Sequence, residues 1–303
     1  MEHTIGFPNL GLEFTLNRVA CTVLGKDIYW YGIIICAGFI LAALYCMRRA
    51  PKDFGISKDT LTDVVLIGLP TAIVGARLYY VFCHWSSYVG DSVWQTLWNW
   101  CKIWEGGTAI PGGLLLATFC VWLYARKKKI PFGAIMDCVV LGLLIGQIIG
   151  RWSNFMNREY IGEVTDIFCR MGLTTGGTTY YVHPLFLYES LWNLVGFIFL
   201  AIWTRKGKRQ YDGQATLLYF VWYGLIRFLL EPLRTSPLLI PGTALRASQV
   251  IGGGMCLVAL VILVVQSRRA HRPEDLYVNR VRAQSAAAEE KEKTPNGSED
   301  KTV

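Results

Sequence analysis

Long apolar runs separated by short basic clusters dominate this chain. Seven runs, over residues 28–47, 61–82, 109–125, 134–150, 185–203, 215–230 and 248–266, approach the roughly 20 residues an α-helix needs to cross a hydrocarbon core of about 30 Å. They lack the two-residue alternation of barrel strands, and backbone in lipid must satisfy its own polar groups, so the runs predict helices. The expected fold is an all-α polytopic membrane protein with seven transmembrane helices. An extracytoplasmic segment, 1–27, precedes the membrane domain, 28–266, and a tail, 267–303, follows it.

The polar intervals orient these spans. Arg48, Arg49 and Lys52, the cluster 126–129, Arg205, Lys206, Lys208 and Arg209, and Arg268, Arg269 and Arg272 all fall on the side shared with the C-terminus. Positive clusters mark the cytoplasmic side, so the C-terminus is expected there and the N-terminus outside. The outer connections differ in character. Residues 82–108 hold Trp85, Trp94, Trp98, Trp100 and Trp104, which suit the lipid–water boundary, and 151–184 holds Arg151, Arg158, Glu159, Glu163, Asp166 and Arg170.

Composition agrees with the membrane reading and narrows the chemistry. Of 303 residues 53% are apolar and only 17% charged, against about 25% charged in a soluble domain. This excludes disordered, collagenous and small disulfide-stapled classes. The net charge of +8 lies among the spans, because residues 273–303 carry five basic and seven acidic side chains. It reads as a topology signal, and no nucleic-acid partner is expected. The tail itself is rich in Ala, Glu, Lys and Ser and predicts a short helix fading into disorder. Nine cysteines form no CxxC pair and mostly lie in apolar runs, so they read as small buried hydrophobes. Neither a metal site nor a cofactor is expected.

Charged groups inside the runs need a reason, since each costs about 2.5–3.5 kcal/mol on insertion scales. Arg77, Arg151, Glu189, Arg227 and Glu231 all fall toward the outer ends of their spans. Tyr223, Arg227, Glu231 and Arg234 are spaced four, four and three apart, which puts them on one helical stripe. One reading is a self-neutralising Arg227–Glu231 pair. Another is a wall of arginines, Arg77, Arg151 and Arg227, whose planar donor forks match the phosphate of an anionic lipid headgroup. The run Gly252-Gly253-Gly254 reads as close helix packing or local unwinding rather than a phosphate loop, because no phosphate-loop sequence surrounds it.

Several blocks then match one family. Gly150-Arg151-Trp152-Ser153-Asn154-Phe155-Met156-Asn157-Arg158-Glu159-Tyr160-Ile161-Gly162 resembles the signature G-R-x-G-N-F-x-N-x-E-x-x-G of bacterial prolipoprotein diacylglyceryl transferases. Trp30-Tyr31-Gly32, Gly75-Ala76-Arg77-Leu78, His183-Pro184 with Leu187-Tyr188-Glu189, and Tyr223-Gly224 with Arg227 and Glu231 follow in the expected order. The resemblance implies transfer of the diacylglyceryl group of phosphatidylglycerol to the lipobox cysteine thiol of a prolipoprotein, with release of glycerol phosphate, in the bacterial cytoplasmic membrane. It implies Arg151 on the lipid phosphate and Arg227 as a second essential cation. Asn154, Glu159, Gly162, Tyr31, Tyr223 and Glu231 would complete the site.

Two positions depart from that pattern. Pro111 stands before Gly112-Gly113, where the family usually has His or Tyr, and Ser153 replaces the signature's second glycine. Proline cannot accept the thiol proton, so His183 becomes the candidate base, with capping of the fifth span as its structural alternative. Glu159 and Glu231 are the other candidate acceptors. The residues alone also allow a protein that binds or transports an anionic lipid or solute without chemistry.

Overall fold

The computed structural model describes residues 2–175, 177–240 and 242–293. They fall into two compact units, Met1–Arg49 with Met136–Leu276, and Ala50–Ile135 with Tyr277–Val303.

The first unit opens with strands rather than irregular chain. β1 (Glu2–Phe7) and β2 (Leu12–Asn17) form a hairpin, and β3 (Val19–Val23) and β4 (Lys26–Tyr29) form a second one that leads into α1 (Trp30–Arg49). Much later in sequence, β5 (Met171–Thr175) and β6 (Thr178–Val182) join the first hairpin in an antiparallel sheet of order β2-β1-β5-β6. The all-α expectation is corrected here. These strands are only four to six residues long, and their alternation is invisible to a search for runs long enough to span lipid. One face of the sheet buries Ile5, Phe7, Met171, Leu173 and Val182 against Phe155 and Phe186.

Four more long helices complete this unit: α5 (Phe132–Asn157), which begins in the second unit, α6 (Leu185–Arg205), α7 (Gln214–Leu230) and α8 (Ala247–Ser267). At the start of α7 the N-cap is Gly213, which has no side chain to accept the free backbone N–H groups. Asp137 of α5 does so instead. Its carboxylate accepts from Gly213 N at 2.9 Å, from Thr216 N and Oγ1 at 2.8 Å each, and from Arg209 at 3.1 Å. Gly252 of α8 lies against Gly224 of α7 and Gly253 against the Phe228 ring, so these two glycines serve close helix packing, while Gly254 faces open space.

The second unit holds α2 (Lys58–Cys83), α3 (Val93–Cys101), α4 (Ile110–Lys128) and α9 (Tyr277–Lys293). Gly75 of α2 meets α4 so closely that a Cβ there would lie 2.5 Å from the Gly112 carbonyl oxygen. Only glycine permits this crossing, which explains the Gly112-Gly113 pair in packing terms. Pro111 occupies the first turn of α4, where its missing N–H costs nothing. Of the tail 267–303, expected to be a short helix after Asp275 fading into disorder, Tyr277–Lys293 is the helix α9, and 294–303 lie outside the described residues.

Among the described residues six helices are long and apolar enough to cross a membrane: Trp30–Phe54, Lys58–Cys83, Phe132–Asn157, Leu185–Arg205, Gln214–Leu233 and Ala247–Ser267. The chain is therefore a mostly helical, polytopic membrane protein. The run expected as the third span forms the helix α4, which is not among these six: it carries Pro-Gly-Gly in its first turn and closes on Arg126, Lys127 and Lys128, which shortens its apolar stretch.

Candidate active site

Three helices of the first unit bring their costly charges together. Glu189, on the first turns of α6, is fully buried and lies between two arginines from different helices. Arg151 of α5 donates to one carboxylate oxygen at 2.5 Å, and Arg227 of α7 donates to the other at 3.3 Å. Arg227 also meets Glu231 at 3.2 Å, one turn further along its own stripe, and Arg234 approaches the same carboxylate at 3.8 Å. Glu231 is likewise fully buried, and its backbone carbonyl accepts from Arg246.

The self-neutralising pair is thus part of something larger. Arg151, Arg227 and Arg234 face Glu189 and Glu231, which leaves the cluster one positive charge in excess. Side-chain exposures of 20% for Arg151 and 14% for Arg227 leave both reachable, while both carboxylates are at 0%. The cations therefore face outward from a buried anionic base. A guanidinium has five N–H donors, and the contacts named here engage only part of each fork.

A polar string leads away from Arg151. Its guanidinium donates to Asn154 Oδ1 at 3.1 Å, Asn154 Nδ2 lies 3.5 Å from the Glu159 carboxylate, and Asn157 Nδ2 donates to that carboxylate at 3.2 Å. Asn157 in turn borders an apolar groove of about 850 Å³ along α1, lined by Ile28, Tyr31, Gly32 and Cys36. Tyr31 is thereby placed in the groove rather than among the arginines. Tyr223 stacks on Tyr219 with ring centroids 5.7 Å apart and lies beside Arg151.

Gly162 has a packing role. A Cβ there would lie 2.5 Å from His183 Cβ, and the Gly162 N–H donates to the His183 carbonyl at 3.1 Å. His183 does not cap α6, whose N-cap is Pro184 with no side-chain bond. Its Nδ1 lies 3.3 Å from the Tyr188 hydroxyl, which also lies 3.4 Å from Cys169 Sγ. If Nδ1 carries the hydrogen, Nε2 is the open acceptor.

Arg77 is placed differently from Arg151 and Arg227. It belongs to the second unit and is 3% exposed, with its donors directed at loop carbonyls. Nε donates to Trp100 O and Nη2 to Asn99 O, both at 2.9 Å, while Nη1 donates to Gly106 O at 2.5 Å and Gly107 O at 2.9 Å. The ring of Tyr88 stacks on its guanidinium at 4.8 Å. Arg77 ties the end of α3 and the following loop to α2, and that leaves little of its fork for a phosphate.

Tyr160 and Glu189 were absent from the site expected from sequence. Glu189 was visible as a costly carboxylate in an apolar run, but its partners lie 38 residues away on either side. Tyr160 follows the signature's glutamate in a backbone conformation with φ of 57°. Left-handed backbone at a residue with a Cβ is uncommon, and it turns this phenol into the arginine cluster. Burial, and then the Glu189 carboxylate, push its pKa above the usual tyrosine range, so it stays a neutral phenol.

Fold and site together define a multi-span membrane protein with a partly exposed arginine cluster seated on two buried carboxylates. The family model described as prolipoprotein diacylglyceryl transferase matches residues 18–265. Phosphatidylglycerol–prolipoprotein diacylglyceryl transferases of Streptococcus pyogenes serotypes M5 (strain Manfredo), M49 (strain NZ131) and M1 are each 36% identical over 260 residues, covering 84% of this chain and 96% of theirs. This chain belongs to the prolipoprotein diacylglyceryl transferase family, a family of transferases acting in lipoprotein biosynthesis.

Proposed function

We propose that this protein transfers the diacylglyceryl group of phosphatidylglycerol to the lipobox cysteine of prolipoproteins, on the outer side of the bacterial cytoplasmic membrane. The carrying observation is the Arg151–Glu189–Arg227 cluster inside the region that matches the family. The thiolate sulfur attacks the glyceryl carbon of the lipid, a carbon–sulfur bond forms, and the carbon–oxygen bond to phosphate breaks. Glycerol phosphate leaves with the electron pair and gains charge as it does so. Arginine donors already in place stabilise that charge most in the transition state.

Arg151 and Arg227 hold the phosphate, and Glu189 and Glu231 hold the two guanidiniums. Asn154 and Glu159 fix the far edge of Arg151, while Tyr223 walls the same pocket. The Tyr31 groove receives an apolar chain of a substrate, and Gly162 lets the loop close on His183. The thiol, with an unperturbed pKa of about 8.5, must lose a proton, and the cationic cluster favours its thiolate. His183 Nε2 accepts that proton, with Nδ1 held by Tyr188. No step in this scheme is assigned to a metal or cofactor. Arg77 shapes the Trp-rich loop.

For the chain as a whole, α4 is the seventh span, its basic last turn resting on the cytoplasmic surface with the other clusters. The N-terminus is then outside and α9 inside. Purified protein in phosphatidylglycerol vesicles with a lipobox peptide should release glycerol phosphate only when the peptide carries its cysteine. Lipid binding without release would reject the enzyme. The variant His183→Ala should lose turnover at neutral pH by about 10²-fold, and near-normal turnover would remove His183 as the base.

A further inference from the structure

We propose that Tyr160 is a positioning residue whose ring and hydroxyl hold the guanidiniums of Arg151 and Arg227 in the mutual geometry that the transfer requires. This inference rests on the phosphate-clamp reading of those two arginines.

The ring of Tyr160 lies 4.4 Å from Cζ of Arg151 and 5.6 Å from those of Arg227 and Arg234. Its hydroxyl accepts from Arg227 Nη1 at 2.8 Å. Glu189 contacts Arg151 and Arg227, and Glu231 contacts Arg227 and Arg234. Tyr160 is the one side chain among the described residues that meets all three cations. The two kinds of contact differ in what they leave free. A carboxylate occupies the in-plane N–H donors that a phosphate also needs, whereas an aromatic ring attracts the cation mainly through its own π face. The Tyr160 ring can therefore hold the arginines close to one another, against their mutual repulsion, with less competition for the phosphate-binding edge.

The ring is well fixed for that task. Tyr160 packs against the cluster of Phe155, Val182 and Phe186 and also against the cluster of Leu185, Ile226 and Leu230. It thereby joins the sheet and α5 to the α6–α7 pair. The left-handed backbone at Tyr160, preceded by the same conformation at Arg158, is a local distortion with no turn-forming glycine to explain it. Its effect is to place one aromatic side chain between the arginines. The family signature leaves this position open, so the motif alone does not reveal it.

The test uses the full chain in phosphatidylglycerol vesicles with a lipobox cysteine peptide, reading kcat and KM for the lipid from glycerol phosphate release. Tyr160→Phe keeps the ring and should lower kcat about threefold, with KM within about twofold of wild type. Tyr160→Met and Tyr160→Leu fill the space without a ring and should lower kcat about 30-fold, with a smaller change in KM. Rescue by Phe separates positioning from simple packing. A folded ringless variant with wild-type kcat overturns the proposal, and so does a Phe variant as damaged as the ringless ones. Should neither ringless variant fold, the Phe variant decides, and a wild-type kcat there overturns it. Absence of glycerol phosphate from the wild-type protein would instead defeat the clamp reading, and this proposal with it.

Discussion

Arg151 and Arg227 differ from ordinary membrane arginines in sharing one buried carboxylate. Replacing either by Lys keeps a charge but removes the planar fork, so kcat/KM should fall by about 10²-fold, measured as glycerol phosphate release. Wild-type kinetics in both variants would end the clamp argument. Glu189→Gln tests the anchor beneath them. It removes the negative charge that aligns both arginines while making the cluster more cationic. Turnover should drop by about 10- to 100-fold while affinity for phosphatidylglycerol holds or rises, a split visible as kcat against KM. Loss of lipid affinity alone would show that Glu189 does not orient the pair. The charges themselves were readable in sequence, because each stood out against an apolar run. Their partners were not, since Arg77 and Arg151 look alike by depth and only the structure shows one facing loop carbonyls and the other facing Glu189.

Asp137 shows how an element depends on another element's side chain. α7 begins at a glycine and borrows its cap from α5, and α7 carries Tyr223 and Arg227 into the site. Asp137→Ala removes the cap and leaves Arg209 buried without that partner, although Asp212 stays within 3.6 Å. Breaking a buried pair typically costs about 3–5 kcal/mol, and the remaining aspartate places this case near the lower figure. A lowered Tm of the purified protein in detergent checks it, and an unchanged Tm would show that Asp137 is dispensable. The spans were legible as elements because apolar length is a property of a contiguous segment. The strands were not, because a four-residue hairpin arm gains its stability from a partner, and β1 finds one of its partners in β5, more than 160 residues on.

At the scale of the whole chain the basic clusters predict the orientation, which labelling from either side tests. A protein retaining Cys21 as its sole cysteine should react with a membrane-impermeant maleimide in intact cells, because Cys21 is exposed on β3 of the second hairpin. A cysteine-free protein with Ser285→Cys, on the exposed face of α9, should react only after the cells are opened. The reverse pattern would invert the topology. By itself the amino-acid sequence determined the membrane class, the positions of the long helices, the expected orientation and the family, because hydrophobic insertion energy, charge bias and motif order all accumulate along contiguous residues. Tertiary structure alone decided that Glu189 joins Arg151 to Arg227, that Arg77 holds a loop, and that Tyr160 stands among three cations. Those outcomes depend on the rotational phase of packed helices and on one left-handed turn of backbone, which no local count of residues contains.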